Sequence, residues 1–215
     1  MVERFTRQEL PFTLVDALDA TDSTSEELRR YRPEPNPTAQ ERAVAACFAS
    51  HLRALRAGLS SGAEEFIVVE DDVRLALDFR ARFAPLRENI PSTTPLTSLG
   101  YLVWRWDGFL WNGVDASKEN LTTMGLDLWG AQMYLVTKRW AERCIARLDR
   151  PLPDIVTNDV RTSELIIREA RHEGGLVAYP PLGIQELSGS LLVPEAGNSN
   201  HASGQSQWNE ATYDV

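Results

Sequence analysis

Only two cysteines occur in this chain of 215 residues, Cys47 and Cys144, far apart and each in a helix-like stretch. A disulfide framework is thereby excluded as the basis of the fold, and both thiols are expected to be reduced and buried. Basic residues are scarce as well. Lys and Arg number 22 against 31 Asp and Glu, a net charge of −9, so no cationic surface is available to neutralise nucleic-acid phosphates. No apolar run reaches the roughly 18 residues of a membrane span. The start, Met1-Val2-Glu3-Arg4-Phe5-Thr6-Arg7, lacks the apolar core of a signal peptide. The expectation is a cytoplasmic protein, with peripheral association at a membrane surface left open. What remains is the composition of an ordinary globule, 43% hydrophobic and 25% charged, long enough for one domain with a real core. That domain reads as residues 1–196. From Gly197 onward the chain is polar and turn-rich, a loop or tail over 197–215.

The most informative stretch is Glu65-Phe66-Ile67-Val68-Val69-Glu70-Asp71-Asp72. Its apolar run reads as a short buried strand that passes directly into three acids. Three carboxylates at a strand end repel one another unless a cation sits among them, and hard oxygen ligands suit Mg²⁺ or Mn²⁺, ions that also bind substrate phosphates. A metal–diphosphate site at the carboxyl edge of a sheet is one reading; a solvated acidic turn is the other.

Around this strand, helices and strands alternate. Phe12–Ala17 resembles a short strand, and Thr24 or Ser25 opens a helix that stops before Pro33. Thr38 opens a longer helix to about Leu59, with Val44, Cys47, Phe48, His51, Leu52 and Leu55 at three- and four-residue steps and Gly58 and Gly62 at its end. Leu77–Asn89 reads as a helix, Leu99–Trp104 and Trp129–Thr137 as strands, Lys138–Leu148 as a helix. Asn158 or Asp159 caps a further helix to about Arg171, and Leu176–Tyr179 is a last strand. Such alternation predicts a single α/β domain with a mostly parallel sheet flanked by helices.

Four stretches, in this order, resemble glycosyltransferase family 25, the group of bacterial lipooligosaccharide and collagen galactosyltransferases. They are Leu10-Pro11-Phe12-Thr13-Leu14-Val15-Asp16-Ala17, then Ala46-Cys47-Phe48-Ala49-Ser50-His51-Leu52-Arg53-Ala54-Leu55, then Phe66–Val73, then Trp129-Gly130-Ala131-Gln132-Met133-Tyr134-Leu135-Val136. Pro153-Asp154 and Tyr179-Pro180-Pro181 fall near two further family turns. The Ser-His helix followed about twenty residues later by the acidic triplet is the specific part of the match. Two features depart from the family pattern. Its opening strand has no counterpart ahead of Glu3-Arg4-Phe5, and Gln185-Glu186-Leu187-Ser188-Gly189-Ser190 stands where a Ser-Asp signature is expected.

The resemblance implies a GT-A type, Rossmann-like fold and an inverting, metal-dependent transfer of a hexose, galactose or glucose, from a uridine diphosphate sugar. The acceptor would be a glycan, a lipooligosaccharide or a glycoprotein. It assigns Asp72 as ligand of Mn²⁺ or Mg²⁺, and Glu70 or Asp71 to the ribose or a metal-bound water. Ser50 and His51 would face the donor pocket, and His201 would complete the metal shell from the C-terminal segment. Asp154 is the expected catalytic base, with Asp127, Asp159 and Glu186 as other available carboxylates. Trp106 and Trp111, with polar neighbours, suit the stacking faces of an acceptor sugar. A degenerate domain that binds nucleotide sugar or glycan without turnover is the alternative, and metal-assisted phosphoryl hydrolysis the rival chemistry.

Overall fold

The computed structural model describes residues 2–22, 24–31, 37–103, 120–125, 128–149, 163–186 and 212–213. Helix α1 (Val2–Arg7) begins this description, followed by α2 (Glu26–Tyr31) and the long α3 (Ala39–Ser60). Thr38 caps α3: its hydroxyl accepts from the Glu41 N–H while the Glu41 carboxylate accepts from the Thr38 N–H, satisfying two donors that a helix start leaves open. Gly58 lies inside this helix rather than at its end. A Cβ there would fall 2.2 Å from the Phe66 ring, so the glycine lets α3 approach strand β1 (Glu65–Val69) closely. The turn out of the helix comes at Gly62, with φ of +78°.

Strand β2 (Val73–Leu75) follows the acidic turn at once, then α4 (Phe79–Asn89), β3 (Leu96–Val103), β4 (Asn120–Thr123), β5 (Leu128–Thr137), α5 (Lys138–Leu148), α6 (Glu164–His172), β6 (Leu176–Tyr179) and β7 (Gly183–Gln185). Five strands form one sheet in the order β1-β5-β3-β6-β4, and β2 with β7 forms a small second sheet.

The sheet is mixed and mostly antiparallel, which corrects the expectation of a mostly parallel one. Strand β5 runs antiparallel to both β1 and β3, and β4 runs antiparallel to β6; β3 and β6 are the parallel pair. It follows that β1, β3 and β6 still share one direction. Their carboxyl ends lie at the same edge, but β5 is inserted between two of them with the opposite sense. The expected strand at Phe12–Ala17 is also absent: these residues are exposed and belong to neither sheet.

Alternating residues divide between two apolar layers. Val68, Tyr134 and Val136 pack with Phe48, Leu52 and Leu55 of α3 and with Trp140, Leu165 and Ile166 of α5 and α6. On the other face, Ile67, Val69, Met133 and Leu135 pack with Phe5, Val73, Leu75, Phe79 and Leu86. Both cysteines are free, Cys144 buried and Cys47 half-buried. Among the described residues, no helix is long and apolar enough to cross a membrane.

Candidate functional site

The ladder between β1 and β5 runs one residue past the strand end, because the Glu70 N–H donates to the Gln132 carbonyl at 2.8 Å. The chain then turns, with the Val73 N–H returning to the Glu70 carbonyl, and pairs afresh as β2 against β7. That second ladder also extends by one residue: the Glu186 N–H donates to the Asp72 carbonyl at 2.7 Å. The three acids therefore occupy a bend between two sheets, and their side chains separate according to the sheet each one borders.

Glu70 turns toward helix α3. Its Oε1 stands 3.0 Å from His51 Nε2, and the Cys47 thiol donates to the same oxygen at 4.0 Å. The other imidazole nitrogen, Nδ1, lies 3.1 Å from the Tyr134 oxygen. Spacing on the helix explains the convergence, since residues four apart share a face and Cys47 and His51 both point at the strand end. His51 is buried. Burial opposes its imidazolium, but the Tyr134 oxygen, the Cys47 sulfur and the Glu70 carboxylate outweigh that and hold its pKa well above 6.5. An imidazolium here donates from Nδ1 to Tyr134 and from Nε2 to Glu70, which leaves no polar atom of the ring unmet. Burial likewise pushes the Tyr134 phenol up to about 12, so it remains protonated.

Asp72 turns the opposite way, toward β7. Gln185 Nε2 donates to its Oδ2 at 2.8 Å, and Gln132 Nε2 donates to Gln185 Oε1 at 3.2 Å. The second carboxylate oxygen, Oδ1, is buried with no hydrogen-bond partner among the described residues, as is Gln132 Oε1. Burial raises the Asp72 pKa, the Gln185 hydrogen bond works against it, and the Glu70 and Asp71 charges add to it; the result is about 6. A half-buried carboxylate whose inner oxygen has no partner among the described residues, with two like charges beside it, is unfavourable by itself. The same group fits a hard divalent cation, which would supply the missing partner and offset the repulsion.

Asp71, between them, is exposed. Ser50 lies on α3 one residue from His51, and its hydroxyl bridges two backbone groups: it accepts from the Leu18 N–H at 2.9 Å and donates to the Ala46 carbonyl at 2.7 Å. Glu186 is held by Arg4, whose Nη2 donates to its Oε2 at 3.0 Å while Nη1 donates to the Val73 carbonyl. Helix α1 thus braces the strand that follows the acidic turn.

The structure brings Glu70 and His51 together, sets Asp72 apart from them, and places Ser50 at a loop tether. Asp154, His201, Trp106, Trp111, Asp127 and Asp159 lie outside the described residues. Sequence reasoning missed Gln185 as the partner of Asp72, Gln132 behind it, and Tyr134 as the partner of His51. Gln132 and Tyr134 stand within the strand that carries the family resemblance, so that stretch held a signal for them; Gln185 opens the stretch that stands in place of the Ser-Asp signature, and that position was its signal.

No curated protein matches the chain. The family model of glycosyltransferase family 25, described as LPS biosynthesis protein, matches residues 1–153. With well over half of its length inside that match, and the acidic turn and the Ser-His helix both within it, the chain belongs to glycosyltransferase family 25 and is a glycosyltransferase.

Proposed function

We propose that the protein transfers a hexose, galactose or glucose, from a uridine diphosphate sugar to a lipooligosaccharide, glycan or glycoprotein acceptor on the cytoplasmic side, with inversion at the sugar carbon. The observation that carries this reading is Asp72: a half-buried carboxylate in the turn between β1 and β2, inside the family match, whose buried Oδ1 has no partner among the described residues. Open α/β sheets take ligands at the carboxyl ends of their strands, and here β1, β3 and β6 end at one edge. We read that edge as the donor platform of a GT-A type domain.

In this reading Asp72 holds Mn²⁺ or Mg²⁺ through Oδ1, while Gln185 keeps Oδ2 fixed so that the carboxylate presents one defined oxygen. Such an ion supplies Lewis-acid neutralisation of the charge that develops on the departing diphosphate. Asp71, exposed beside it, is placed to take the ribose hydroxyls. Glu70 does not share that task, because its carboxylate is engaged by His51 and Cys47. His51 therefore contributes by fixing the first residue of the turn rather than by touching donor. His201 as a further metal ligand, Asp154 as the base that takes the acceptor hydroxyl proton, and Trp106 and Trp111 as the acceptor wall complete the proposal.

The decisive experiment incubates the protein with each common nucleotide sugar and measures free nucleotide diphosphate, with and without chelator. The expected result is uridine diphosphate release that stops on chelation and returns with Mn²⁺, and a product whose anomeric configuration is opposite to the donor's. Turnover unaffected by exhaustive chelation would overturn the metal assignment, and a retained configuration would overturn inversion.

A further inference from the structure

We propose that Cys47, His51 and Glu70 form a second cation site, one that takes a borderline-soft divalent ion such as Zn²⁺ and is separate from the hard-oxygen position at Asp72. Sγ of Cys47, a ring nitrogen of His51 and a carboxylate oxygen of Glu70 all lie within 4.8 Å of one another. They come from two elements that the fold holds firmly. Cys47 and His51 are one turn apart on the 22-residue helix α3, and Glu70 is pinned at the end of β1 by its N–H bond to Gln132.

The donor set is what separates this site from its neighbour two residues away. Thiolate and imidazole favour Zn²⁺, whereas carboxylate and water favour Mg²⁺ and Mn²⁺. Ligands about 2.0–2.3 Å from a tetrahedral zinc stand roughly 3.3–3.7 Å apart. The pairs here are 3.0 Å for His51 Nε2 with Glu70 Oε1 and 4.0 Å for Cys47 Sγ with the same oxygen. Rotamer adjustments of a few tenths of an ångström bring these two pairs to that spacing, and the third pair, Cys47 with His51, lies within 4.8 Å. The ring is already aimed, because Tyr134 engages Nδ1 and leaves Nε2 directed at the carboxylate. A partner on the far nitrogen is the usual support of a metal-bound histidine. Cys47 and Glu70 are half-buried, so an ion can reach the trio from their side and keep a water in the fourth position. Binding displaces the thiol proton and the proton held between His51 and Glu70.

The test uses the full chain and Co²⁺ as a spectroscopic stand-in for zinc. Titration should produce thiolate-to-cobalt charge-transfer absorption and the intense visible bands of a tetrahedral centre, with zinc displacing the cobalt and excess Mn²⁺ failing to. Cys47→Ser should abolish the charge-transfer band. Asp72→Asn should leave it intact, which keeps this inference independent of the metal reading at Asp72. Tyr134→Phe should weaken binding by about tenfold through loss of the contact behind the imidazole. A second measurement needs no variant. With Cys144 buried, alkylation under native conditions reports Cys47, and zinc should slow it reversibly on chelation, while Mn²⁺ should not. Absence of a thiolate band at saturating cobalt, its survival in Cys47→Ser, or alkylation unmoved by zinc would show a hydrogen-bonded trio only. Loss of the band in Asp72→Asn would place the ion at the acidic turn instead.

Discussion

Glu70 and Asp72 sit two residues apart on the same turn, yet they occupy opposite electrostatic situations. Glu70 faces a buried histidine that faces a buried tyrosine, and every polar atom of that histidine's ring has a partner. Asp72 is half-buried too, but among the described residues its Oδ1 has no partner, and its partner Gln185 accepts from a Gln132 whose side-chain oxygen also has none. The first arrangement stabilises the fold as it stands. The second costs stability until something else arrives. An unmet carboxylate oxygen two residues from a carboxylate that is already engaged is the contrast on which the reading of Asp72 as a ligand rests.

The sharpest way to break this contrast is Asp72→Asn. If Asp72 holds the cation as proposed, the change should cut sugar transfer roughly 10²–10³-fold in initial rate. Without metal, the same change should stabilise the protein. The folded Asp72 pKa of about 6 lies above the ordinary 3.8, so between these values the folded state binds the extra proton. Stability of the wild type therefore falls as pH rises from about 4 to 6, and above that range the penalty is complete, on the order of 3 kcal/mol. Asparagine removes it. Thermal melts in chelator should show the variant more stable at pH 7 and equal to wild type near pH 4. A variant less stable at pH 7 would show that Asp72 is a structural carboxylate.

Glu70→Gln should behave in the opposite sense and by a slightly smaller amount. Removing the charge opposite a buried imidazolium typically costs about 2–4 kcal/mol. Because the folded His51 pKa is raised above 6.5, the pair's contribution is fully present below that value and fades as pH climbs through the raised folded value. The destabilisation measured by denaturant should thus be largest at acid pH and shrink toward alkaline pH. An unchanged midpoint would mean that the imidazole and carboxylate do not interact in solution.

Gln185 tests the support rather than the ligand. Its amide lowers the Asp72 pKa, so Gln185→Leu should raise that pKa further. The acidic limb of the transfer pH profile should move to higher pH, and the Mn²⁺ concentration for half-maximal rate should rise about tenfold. Stability should fall by about 1–3 kcal/mol, since the leucine leaves Asp72 Oδ2 and Gln132 Nε2 without the partners that Gln185 gives them. A lower Tm with an unmoved pH profile would make Gln185 a packing residue.

Where the chain's own pattern determined structure, it was readable. Helix α3 carries a Thr-x-x-Glu capping box and an apolar stripe, and α5 and β6 have bounds at Lys138–Leu148 and Leu176–Tyr179, as the sequence predicts. Strands β2 and β7 have three residues each and find each other across more than a hundred positions, too short for any periodicity to register. Sheet direction was half legible. Helix-linked strands β1, β3 and β6 do run the same way, but adjacency is a tertiary choice, and β5 enters between β1 and β3 in reverse. Phe12–Ala17 has a strand's composition without a partner strand, and pairing rather than composition makes a strand. In the site, the acids and His51 announced themselves by residue type. Their division of labour did not, because it depends on a bend whose two sides belong to different sheets.

The smallest effect distinguishes a tether from a donor contact at Ser50. The sequence places this serine beside His51 and suggests a role facing donor. In the structure its hydroxyl joins the Leu18 N–H to the Ala46 carbonyl, which fastens the segment ahead of α2 onto helix α3. Ser50→Ala leaves the Leu18 amide without that acceptor, but the site is half-buried and water can replace it in part. The expected cost is about 1 kcal/mol, seen as a modest drop in Tm with faster amide exchange at Leu18 and unchanged donor KM. Ser50→Thr, which keeps the hydroxyl, should restore the exchange protection if the added methyl is accommodated. A donor KM that rises severalfold with Tm unmoved would return Ser50 to the binding pocket, and would mean that α3, not only the acidic turn, faces the nucleotide sugar.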